Sequence, residues 1–335
     1  MFMGNDMTES LRPNACPRRN VLVSVITPAK NAAGTIRRCI DSVLSQEIEG
    51  DFEQIIVEDG STDKTEAILK EYSGFRGRFS HYKGPGTGPA AARNIGIKHA
   101  SGNIIVFIDA DCRAEEGWLR NLVRHFREEN VGGVCGSVKT PKELSTVGKV
   151  IGLDWEYRQE DKIIKSKRWF HTMNTAYRRE LFDEIGVIDE ELVTGEDIDL
   201  TTRAFRTRYN FVFDKEAIVY HYHRSTIKQY LKQFFNYGKG SYKLFKKETN
   251  LEHLLIPIYF LTLTIMLLFI PISVIFAYLA LILFTLGFGK YLFNSIQVLY
   301  KSKDKLSLII GPLAYAGRFA RFLGFLSAAV TGENS

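Results

Sequence analysis

The stretch NIIVFIDADCR, residues 103–113, joins an unbroken apolar run to two aspartates one residue apart, Asp109 and Asp111. Such a run is typical of a strand that is buried on both faces, as the central strands of a parallel sheet are. Residues i and i+2 of an extended strand face the same way, so both carboxylates can enter one site. Like charges near apolar walls resist ionisation, which favours a cation between them. The alternative is that one aspartate caps the next helix and the other is merely exposed.

Strand-like and helix-like segments alternate around this stretch through the first 225 residues. The predicted strands cover residues 21–27, 54–58, 78–83, 103–109 and 131–138, and the predicted helices cover 35–46, 63–72, 89–100 and 115–129. Asp63 with Glu66 three residues later predicts a capping box for the second helix. This alternation indicates an α/β fold with a parallel sheet and crossover helices.

The second predicted strand also ends in two acids, Glu58 and Asp59. Carboxyl ends of parallel strands meet at one edge of a sheet, where ligands of such folds bind. We therefore expect these acids at the same edge as Asp109 and Asp111. Two hard oxygen ligands there suit Mg²⁺ or Mn²⁺ with substrate phosphate oxygens.

The composition of the 335 residues sets mild limits on function. The formal net charge of +6 does not by itself imply a nucleic acid partner, and we expect none. The four cysteines form no C-x-x-C pair, so reduced structural thiols are expected. Residues 1–20 lack an apolar core and contain Pro13 and Pro17, which predicts a loose leader and no signal peptide.

The chain becomes strongly apolar after residue 250. Residues 254–287 contain no charged residue and exceed one ordinary membrane span, with Pro271 near their middle. Two spans in a hairpin, or one long span with a re-entrant piece, would fit. The segment 306–330 contains Arg318 and Arg321, and arginine is costly at a bilayer centre. We expect that segment at the interface or packed against the spans, although spanning also fits.

Basic residues flank the apolar region on both sides. Residues 226–250 interleave lysines with aromatic residues, which predicts an amphipathic helix on anionic headgroups. The alternative is a solvated helix with an aromatic stripe that faces the protein core. Lysines follow the long apolar run as well, at positions 290, 301, 303 and 305. Positive charge beside spans favours the cytoplasmic side, so we expect an integral protein of the cell membrane with a cytoplasmic catalytic domain.

Several spaced motifs resemble those of a known enzyme family. In order they are VSVITPAKNAAGTIRRCIDSVLSQ, IIVEDGSTDKT, AAARNIGIKHASGNIIVFIDAD and GEDIDLTTRAFRTRYNF. They resemble the motifs of the family 2 glycosyltransferases, which are inverting enzymes with the GT-A nucleotide-sugar-binding fold. The resemblance covers roughly residues 21–225, and the apolar tail resembles that of membrane-anchored members. It implies a Rossmann-like GT-A domain followed by a C-terminal helical membrane region.

The resemblance implies a donor site along the carboxyl edge of the sheet. Asp59 matches the acid that contacts the nucleotide base, and a carboxylate that accepts the ring N–H of uracil favours a UDP-sugar. Lys30 departs from the tyrosine of many relatives, and Glu58 stands where many have aspartate. The implied donor-binding residues are Pro28, Lys30, Asn31, Asp59, Arg93, Asn94 and Asp109.

The resemblance also implies a metal and a base. Asp109 and Asp111 match the pair that binds Mn²⁺ or Mg²⁺, and His221 is favoured over His223 as a further metal contact. Asp197 matches the base that deprotonates the acceptor hydroxyl, with Glu196 positioning or binding the acceptor. Asn174 falls in a segment similar to the acceptor-side loop. Alternatives are an ordinary acidic helix start at Glu196 and Asp197, and a zinc pair or structural histidines at positions 221 and 223.

The expected activity is a metal-dependent hexosyl transfer from a nucleotide-diphosphate sugar to a membrane-associated, lipid-linked glycan, in cell-surface polysaccharide synthesis or protein glycosylation. A polyprenyl-phosphate sugar synthase is the alternative reaction, and an inactive nucleotide-sugar-binding scaffold is the non-enzyme alternative. TPAKNAAG lacks the glycine fingerprint of nicotinamide enzymes and the arginine-containing loop of nucleotidyltransferases. GPGTG, residues 84–88, is interpreted as a flexible turn.

Overall fold

The computed structural model describes residues 21–74, 77–159, 170–192, 194–248 and 251–332, so the predicted leader lies outside the described residues. Its strands are β1 (Val21–Ala29), β2 (Asp51–Glu58), β3 (Phe79–Lys83), β4 (Ile104–Ile108), β5 (Cys112–Ala114), β6 (Val131–Lys139), β7 (Asn174–Arg178) and β8 (Asn210–His221). Its helices in the same part of the chain are α1 (Ile36–Leu44), α2 (Thr65–Glu71), α3 (Pro89–His99), α4 (Trp118–Val123), α5 (Thr146–Gln159), α6 (Arg179–Ile185) and α7 (Glu196–Ala204). Four longer helices follow: α8 (Ile227–Glu248), α9 (Leu255–Leu268), α10 (Val274–Ser302) and α11 (Ile310–Thr331).

The eight strands form one sheet in the order β3-β2-β1-β4-β7-β6-β8-β5. Strands β1 to β4 are parallel, as the alternation predicts. The expectation of a wholly parallel sheet is wrong beyond β4, because β7 runs antiparallel to both β4 and β6. Strand β5 is also antiparallel to its neighbour β8. The sheet is therefore mixed, and β7 joins its two halves.

Strand β4 is apolar throughout because both of its faces are covered. Ile104, Val106 and Ile108 belong to the core that packs under α1 and α4. Ile105 and Phe107 belong to the opposite core, under α3, α6 and α7. The alternation of side chains along an extended strand explains this division. The buried strand leads directly to Asp109 at its carboxyl end.

The start of α2 differs from the predicted capping box. The helix begins at Thr65, and Asp63 Oδ1 accepts the Thr65 N–H. Glu66 pairs with Lys70 and Lys83 at 3.1 and 3.0 Å and does not close the reciprocal bond of a capping box. Asp63 instead also accepts the Ala33 N–H, which ties α2 to the loop after β1. The predicted helix over 115–129 is likewise shorter, since α4 passes into a 3₁₀ turn at Arg124–Arg127.

Among the described residues, three helical segments are long and apolar enough to cross a membrane: Leu251–Leu268, Val274–Ser302 and Lys305–Thr331. The turn between the first two contains Pro271, in agreement with the hairpin interpretation. Helices α9 and α10 expose large apolar side chains along their length, such as Leu268 and Leu286.

Helix α11 differs from α9 and α10, because it packs along α8. Gly317 lies against Tyr230 and Phe234, and Gly324 lies against the backbone of Phe235. Tyr230, Phe234 and Tyr242 of α8 therefore pack on α11, as the alternative of a core-facing aromatic stripe describes, whereas Tyr237 stays exposed. The lysines at positions 228, 232, 246 and 247 remain exposed.

Candidate active site

Asp109 and Asp111 line one cavity of about 350 Å³ at the carboxyl end of β4. The chain turns between them, and the Cys112 N–H donates to the Asp109 carbonyl before β5 begins. Asp197, at the start of α7, lines the same cavity. The fold thus brings Asp197 into the same cavity as Asp109 and Asp111, although it follows Asp111 by 86 positions in the chain.

Arg93 of α3 joins the two sides of this site. Its guanidinium donates to Asp109 Oδ1 at 2.7 Å and to Glu196 Oε1 at 2.9 Å. The arginine is buried, so these are charge-assisted bonds with little solvent screening. Burial and the neighbouring Asp197 carboxylate nevertheless raise the pKa of Glu196 to about 7. Arg93 therefore fixes the acid after β4 relative to the first turn of α7.

Asp111 has different positive neighbours. Its Oδ1 lies 3.3 Å from His221 Nε2, and its Oδ2 lies 3.5 Å from the Arg224 guanidinium. Burial opposes ionisation, but His221 and Arg224 outweigh it and lower the pKa of Asp111 to about 2. Burial likewise disfavours a charged His221, and Asp111 reverses that effect and raises the pKa of His221. An anionic oxygen and an imidazole nitrogen therefore face each other across a short gap.

The Asp111 carboxylate and the His221 imidazole fit a divalent cation such as the Mg²⁺ or Mn²⁺ that the sequence predicts beside Asp109 and Asp111. Neighbouring ligands of an octahedral Mg²⁺ or Mn²⁺ ion are roughly 3 Å apart, close to the Asp111–His221 separation. Cys112 Sγ lies in the same group of potential ligand atoms. Burial raises the pKa of the Cys112 thiol well above its usual range, so the sulfur stays protonated and is a poor ligand.

The environment of Asp197 is more open than that of Glu196. Its Oδ1 accepts the backbone N–H of Ile198, and its Oδ2 lies 3.9 Å from His171 Nδ1. The remaining surface of the carboxylate faces the cavity. Gly195 adopts φ +87° immediately before α7, a left-handed conformation that favours glycine and turns the chain into the helix.

The loops after β1 and β2 form a second group of contacts beside the acids. Both carboxylate oxygens of Asp59 accept backbone N–H groups, from Gly86 and Gly88, at 2.8 Å. Lys30 Nζ donates to the Gly86 carbonyl. Asn31, at φ +51°, accepts the Thr62 N–H through Oδ1. Asp59 and Lys30 thus hold the GPGTG segment in place. The interpretation of this segment as a flexible turn did not predict these contacts.

Comparison with known proteins identifies this arrangement. Residues 24–186 match the family model described as glycosyl transferase family 2. This segment is a family 2 glycosyltransferase domain.

Two curated relatives show how far the similarity extends. The chain is 29% identical over 220 residues to Glycosyltransferase AglE of Haloferax volcanii, covering 65% of this chain and 72% of the relative. It is 22% identical over 332 residues to a dolichyl N-acetyl-alpha-D-glucosaminyl phosphate 3-beta-D-2,3-diacetamido-2,3-dideoxy-beta-D-glucuronosyltransferase of Methanococcus voltae. That match covers 93% of this chain and 98% of the relative, so it includes the C-terminal helices.

A solved structure supports the fold. The mannosyltransferase PcManGT from Pyrobaculum calidifontis, solved in complex with GDP-Man and Mn²⁺, superimposes with a TM-score of 0.60 at 20% identity. The match covers 92% of this chain and 87% of that one. The predicted GT-A-like α/β fold is confirmed, and this family 2 glycosyltransferase is an enzyme that uses a nucleotide-sugar donor.

Two predicted site residues of this glycosyltransferase lie elsewhere. Asn174 has no exposed surface: its side chain accepts from Trp118 Nε1 and donates to the carbonyls of Ser137 and Ala217. Both amide hydrogens are used, so we correct its acceptor-side assignment to a structural one. Asn94 bonds the backbone of Ile188 in both directions and donates to Glu190, so it links α3 to the loop before α7. It does not line the cavity, and its donor-site role stays a prediction.

The structure adds residues that the motifs did not identify. His171, Trp155 and His223 line the same cavity as Asp109, Asp111 and Asp197, and His171 lies beside Asp197. The Trp155 and His171 rings are 4.5 Å apart, and burial together with His221 lowers the pKa of His223 well below its ordinary value. His171 directly follows the buried Phe170 in FHTMN, but nothing in that local sequence shows that it meets Asp197.

Proposed function

We propose that this chain is an inverting, metal-dependent glycosyltransferase that acts on a membrane-associated, lipid-linked acceptor. The observation that carries the proposal is the convergence of Asp109, Asp111 and Asp197 on one cavity, with Arg93 and Glu196 linking their elements. One side of the cavity offers carboxylate and imidazole ligands, and the other offers a free carboxylate. An inverting transfer needs these two functions on opposite faces of the sugar.

Asp111 and His221, with Asp109, would hold the Mn²⁺ or Mg²⁺ ion. When bound, the ion neutralises the diphosphate charge that develops as the nucleotide leaves. Arg93 keeps Asp109 oriented toward the cavity, because it holds Oδ1 and leaves Oδ2 available. Arg224, beside Asp111 and exposed, supplies further positive charge for a diphosphate.

Asp197 is the proposed general base. It accepts the proton of the acceptor hydroxyl while that oxygen forms a bond to the anomeric carbon. The bond from the anomeric carbon to the diphosphate oxygen breaks at the same time, and the nucleoside diphosphate carries away the electron pair. Asp197 Oδ1 accepts the Ile198 N–H, so the carboxylate is oriented before the acceptor arrives. Glu196 acts through Arg93 and does not face the acceptor directly.

The donor is proposed to lie along the loops after β1 and β2, beside Pro28, Lys30, Asn31 and Asp59. A UDP-sugar is the first donor to test, because Asp59 matches the acid that contacts the nucleotide base in the family that the motifs resemble, and a carboxylate can accept the uracil ring N–H. A GDP-sugar is the second, because PcManGT was solved with GDP-Man.

The membrane setting follows from the three apolar helices, and we propose an integral protein whose catalytic domain lies on the cytoplasmic side. Lys228, Lys232, Lys246 and Lys247 are exposed on α8, and Lys301, Lys303 and Lys305 flank the end of α10. Positive charge at both places favours the same cytoplasmic side. An acceptor held in the bilayer would then reach the cavity from the side of α8 and α11.

Replacement of the base tests the reaction. Asp197→Asn is expected to lower the transfer rate by about 10²- to 10⁴-fold while donor binding stays unchanged, because the amide cannot take a proton. The measurement is transfer of radiolabelled sugar from UDP- and GDP-sugars to membrane lipid extract, with Mn²⁺ present, beside donor affinity by calorimetry. The same assay after chelation is expected to lose transfer and to regain it when Mn²⁺ or Mg²⁺ is added.

The matched control is Asp183→Asn, which neutralises an exposed carboxylate on α6. It should leave both rate and affinity unchanged. Near-normal turnover of Asp197→Asn would reject Asp197 as the base, and turnover that is indifferent to chelation would reject the metal.

A further inference from the structure

Helix α11 places two arginines in the cavity of the catalytic acids. Arg318 and Arg321 are three residues apart, so they lie on neighbouring positions of one helix face, and both line the cavity. The helix that carries them is apolar and long enough to cross a membrane. Charged side chains in such segments are costly and usually mark a binding or transport function.

These arginines have no acidic partner among the described residues. The Arg321 guanidinium donates to Ser241 Oγ of α8, with an Nε–Oγ distance of 3.0 Å. Within the described part of the chain, Arg318 makes neither an ion pair nor a hydrogen bond. A third cavity arginine, Arg158 of α5, is neutralised by Asp154 at 2.7 Å. This end of the cavity therefore has a surplus of two positive charges.

The arginine end is close to the proposed base. Ser241 directly follows Gly240, which packs against Thr194. Thr194 lies three residues before Asp197, and all these residues line the one cavity. An anion bound by Arg321 would therefore lie in the same cavity as the acceptor hydroxyl that Asp197 activates.

The cavity wall next to the arginines is apolar. Leu313 of α11 and Ile151 of α5 are half-buried and offer apolar surface to the cavity, and the buried Ile310, Ala314 and Val150 lie among the lining residues around them. A ligand that fits this combination has an anionic head and an apolar chain. A free sugar or a soluble nucleotide would leave the apolar wall without a partner.

We propose that Arg318 and Arg321 bind the phosphate or diphosphate of the membrane lipid that carries the acceptor, with its chain along α11 and α5. This inference rests on the proposed function and names the acceptor class of that site. Phosphate bound by two guanidinium groups makes charge-assisted, bidentate contacts. A lipid-linked glycan and a free polyprenyl phosphate present the same group, and an anionic bilayer phospholipid is the competing source of it.

The test is binding of radiolabelled farnesyl phosphate to the full chain in phosphatidylcholine nanodiscs, independently of turnover. Arg318→Gln and Arg321→Gln are each expected to weaken this binding roughly tenfold or more, because a buried charged contact is lost. Arg321→Lys, which keeps the charge, should lose less than Arg321→Gln. The matched control is Arg206→Gln, which removes an exposed arginine after α7 and should bind as the unmodified chain does.

Two comparisons decide the source of the phosphate. Farnesol, which lacks the anion, should bind weakly and equally to all variants. Nanodiscs containing phosphatidylglycerol should not displace farnesyl phosphate. Displacement by phosphatidylglycerol would overturn the proposal in favour of ordinary headgroup binding, and unchanged affinity of both glutamine variants would also overturn it.

Donor affinity, measured on every variant, reports whether the fold is intact. Arginine-dependent binding of farnesyl phosphate without any sugar transfer would support this inference while rejecting the proposed reaction. Sugar transfer without arginine-dependent binding of farnesyl phosphate would support the proposed reaction and reject this inference.

Discussion

Arg93 shows how the meaning of one residue depends on its partners. The resemblance makes it a donor-site residue on a helix, with an exposed helix-surface arginine as the alternative. In the structure it is buried and holds Asp109 and Glu196 at once. A buried arginine without its acids would be strongly destabilising, so the three side chains must be considered as one unit.

Glu196 provides a test at this scale, because its buried carboxylate lies between Arg93 and Asp197. Burial and Asp197 raise its pKa from an ordinary 4.5 to about 7. A raised pKa means that the folded state prefers the protonated form. The associated stability is fully present below about pH 4.5 and is lost as the pH rises through 7.

Glu196→Gln keeps a neutral side chain at every pH. Arg93 keeps its ion pair with Asp109 in this variant. We expect the variant to melt near the unmodified protein at pH 5 and a few degrees higher at pH 8, with a gain in the free energy of unfolding of at most roughly 3 kcal/mol. The measurement is the midpoint of thermal unfolding in detergent across this range. A difference between the two proteins that does not grow with pH would contradict the assignment.

At the scale of elements, α8 and α11 form a close pair because glycines remove the Cβ atoms between them. The contacts advance together along both helices, from Tyr230 with Gly317 to Tyr242 with Phe325, so the helices run in the same direction. Gly324 lies against the Phe235 carbonyl, where a Cβ atom has no room. This approach is what carries Arg321 to Ser241 and into the cavity.

Gly324→Ala is therefore expected to push the two helices apart. Overpacking of this kind costs about 1–3 kcal/mol, and here the obstacle is backbone. The matched control is Gly289→Ala in α10, where an added Cβ meets nothing within 4 Å. Both changes gain the same helix propensity, so the difference in their unfolding midpoints isolates the clash. Equal midpoints would show that the helices are not closely packed.

At the scale of the whole molecule, the surface changes character between the mixed sheet and the last helices. Side chains such as Leu268, Ile272, Leu281 and Leu286 are largely exposed on α9, α10 and the turn between them. Water-facing surfaces rarely carry so large an apolar area, so a bilayer is the natural partner. The 18 residues of Leu251–Leu268 span about 27 Å as a helix, close to the thickness of the hydrocarbon core.

The orientation of this region is testable with cysteine labelling in intact cells, in a Cys16→Ser background, because Cys39, Cys112 and Cys135 are buried. Ile272→Cys lies in the turn of the hairpin and is expected to react with an impermeant maleimide from outside. Lys303→Cys, at the end of α10, is expected to react only after lysis. The opposite pattern would reverse the proposed orientation.

Local pattern determined a large part of this protein. The apolar run before Asp109 defined β4, the alternation defined β1 to β4, and the charge-free run defined the hairpin of α9 and α10. These features follow from the chain's own periodicity and from the cost of exposing apolar surface, which do not depend on distant residues.

Tertiary structure decided which side chains meet. The antiparallel insertion of β7 between β4 and β6 buried Asn174 and removed it from the acceptor side, and the approach of α3 to α7 turned Arg93 from a helix residue into a bridge. The packing of α11 on α8 brought Arg318 and Arg321 into the cavity that Asp109, Asp111 and Asp197 line. The physical reason is that a partner's identity depends on sheet order and helix packing. These join residues as distant as Arg93 and Glu196, which are 103 positions apart, and leave no trace in the periodicity of either segment.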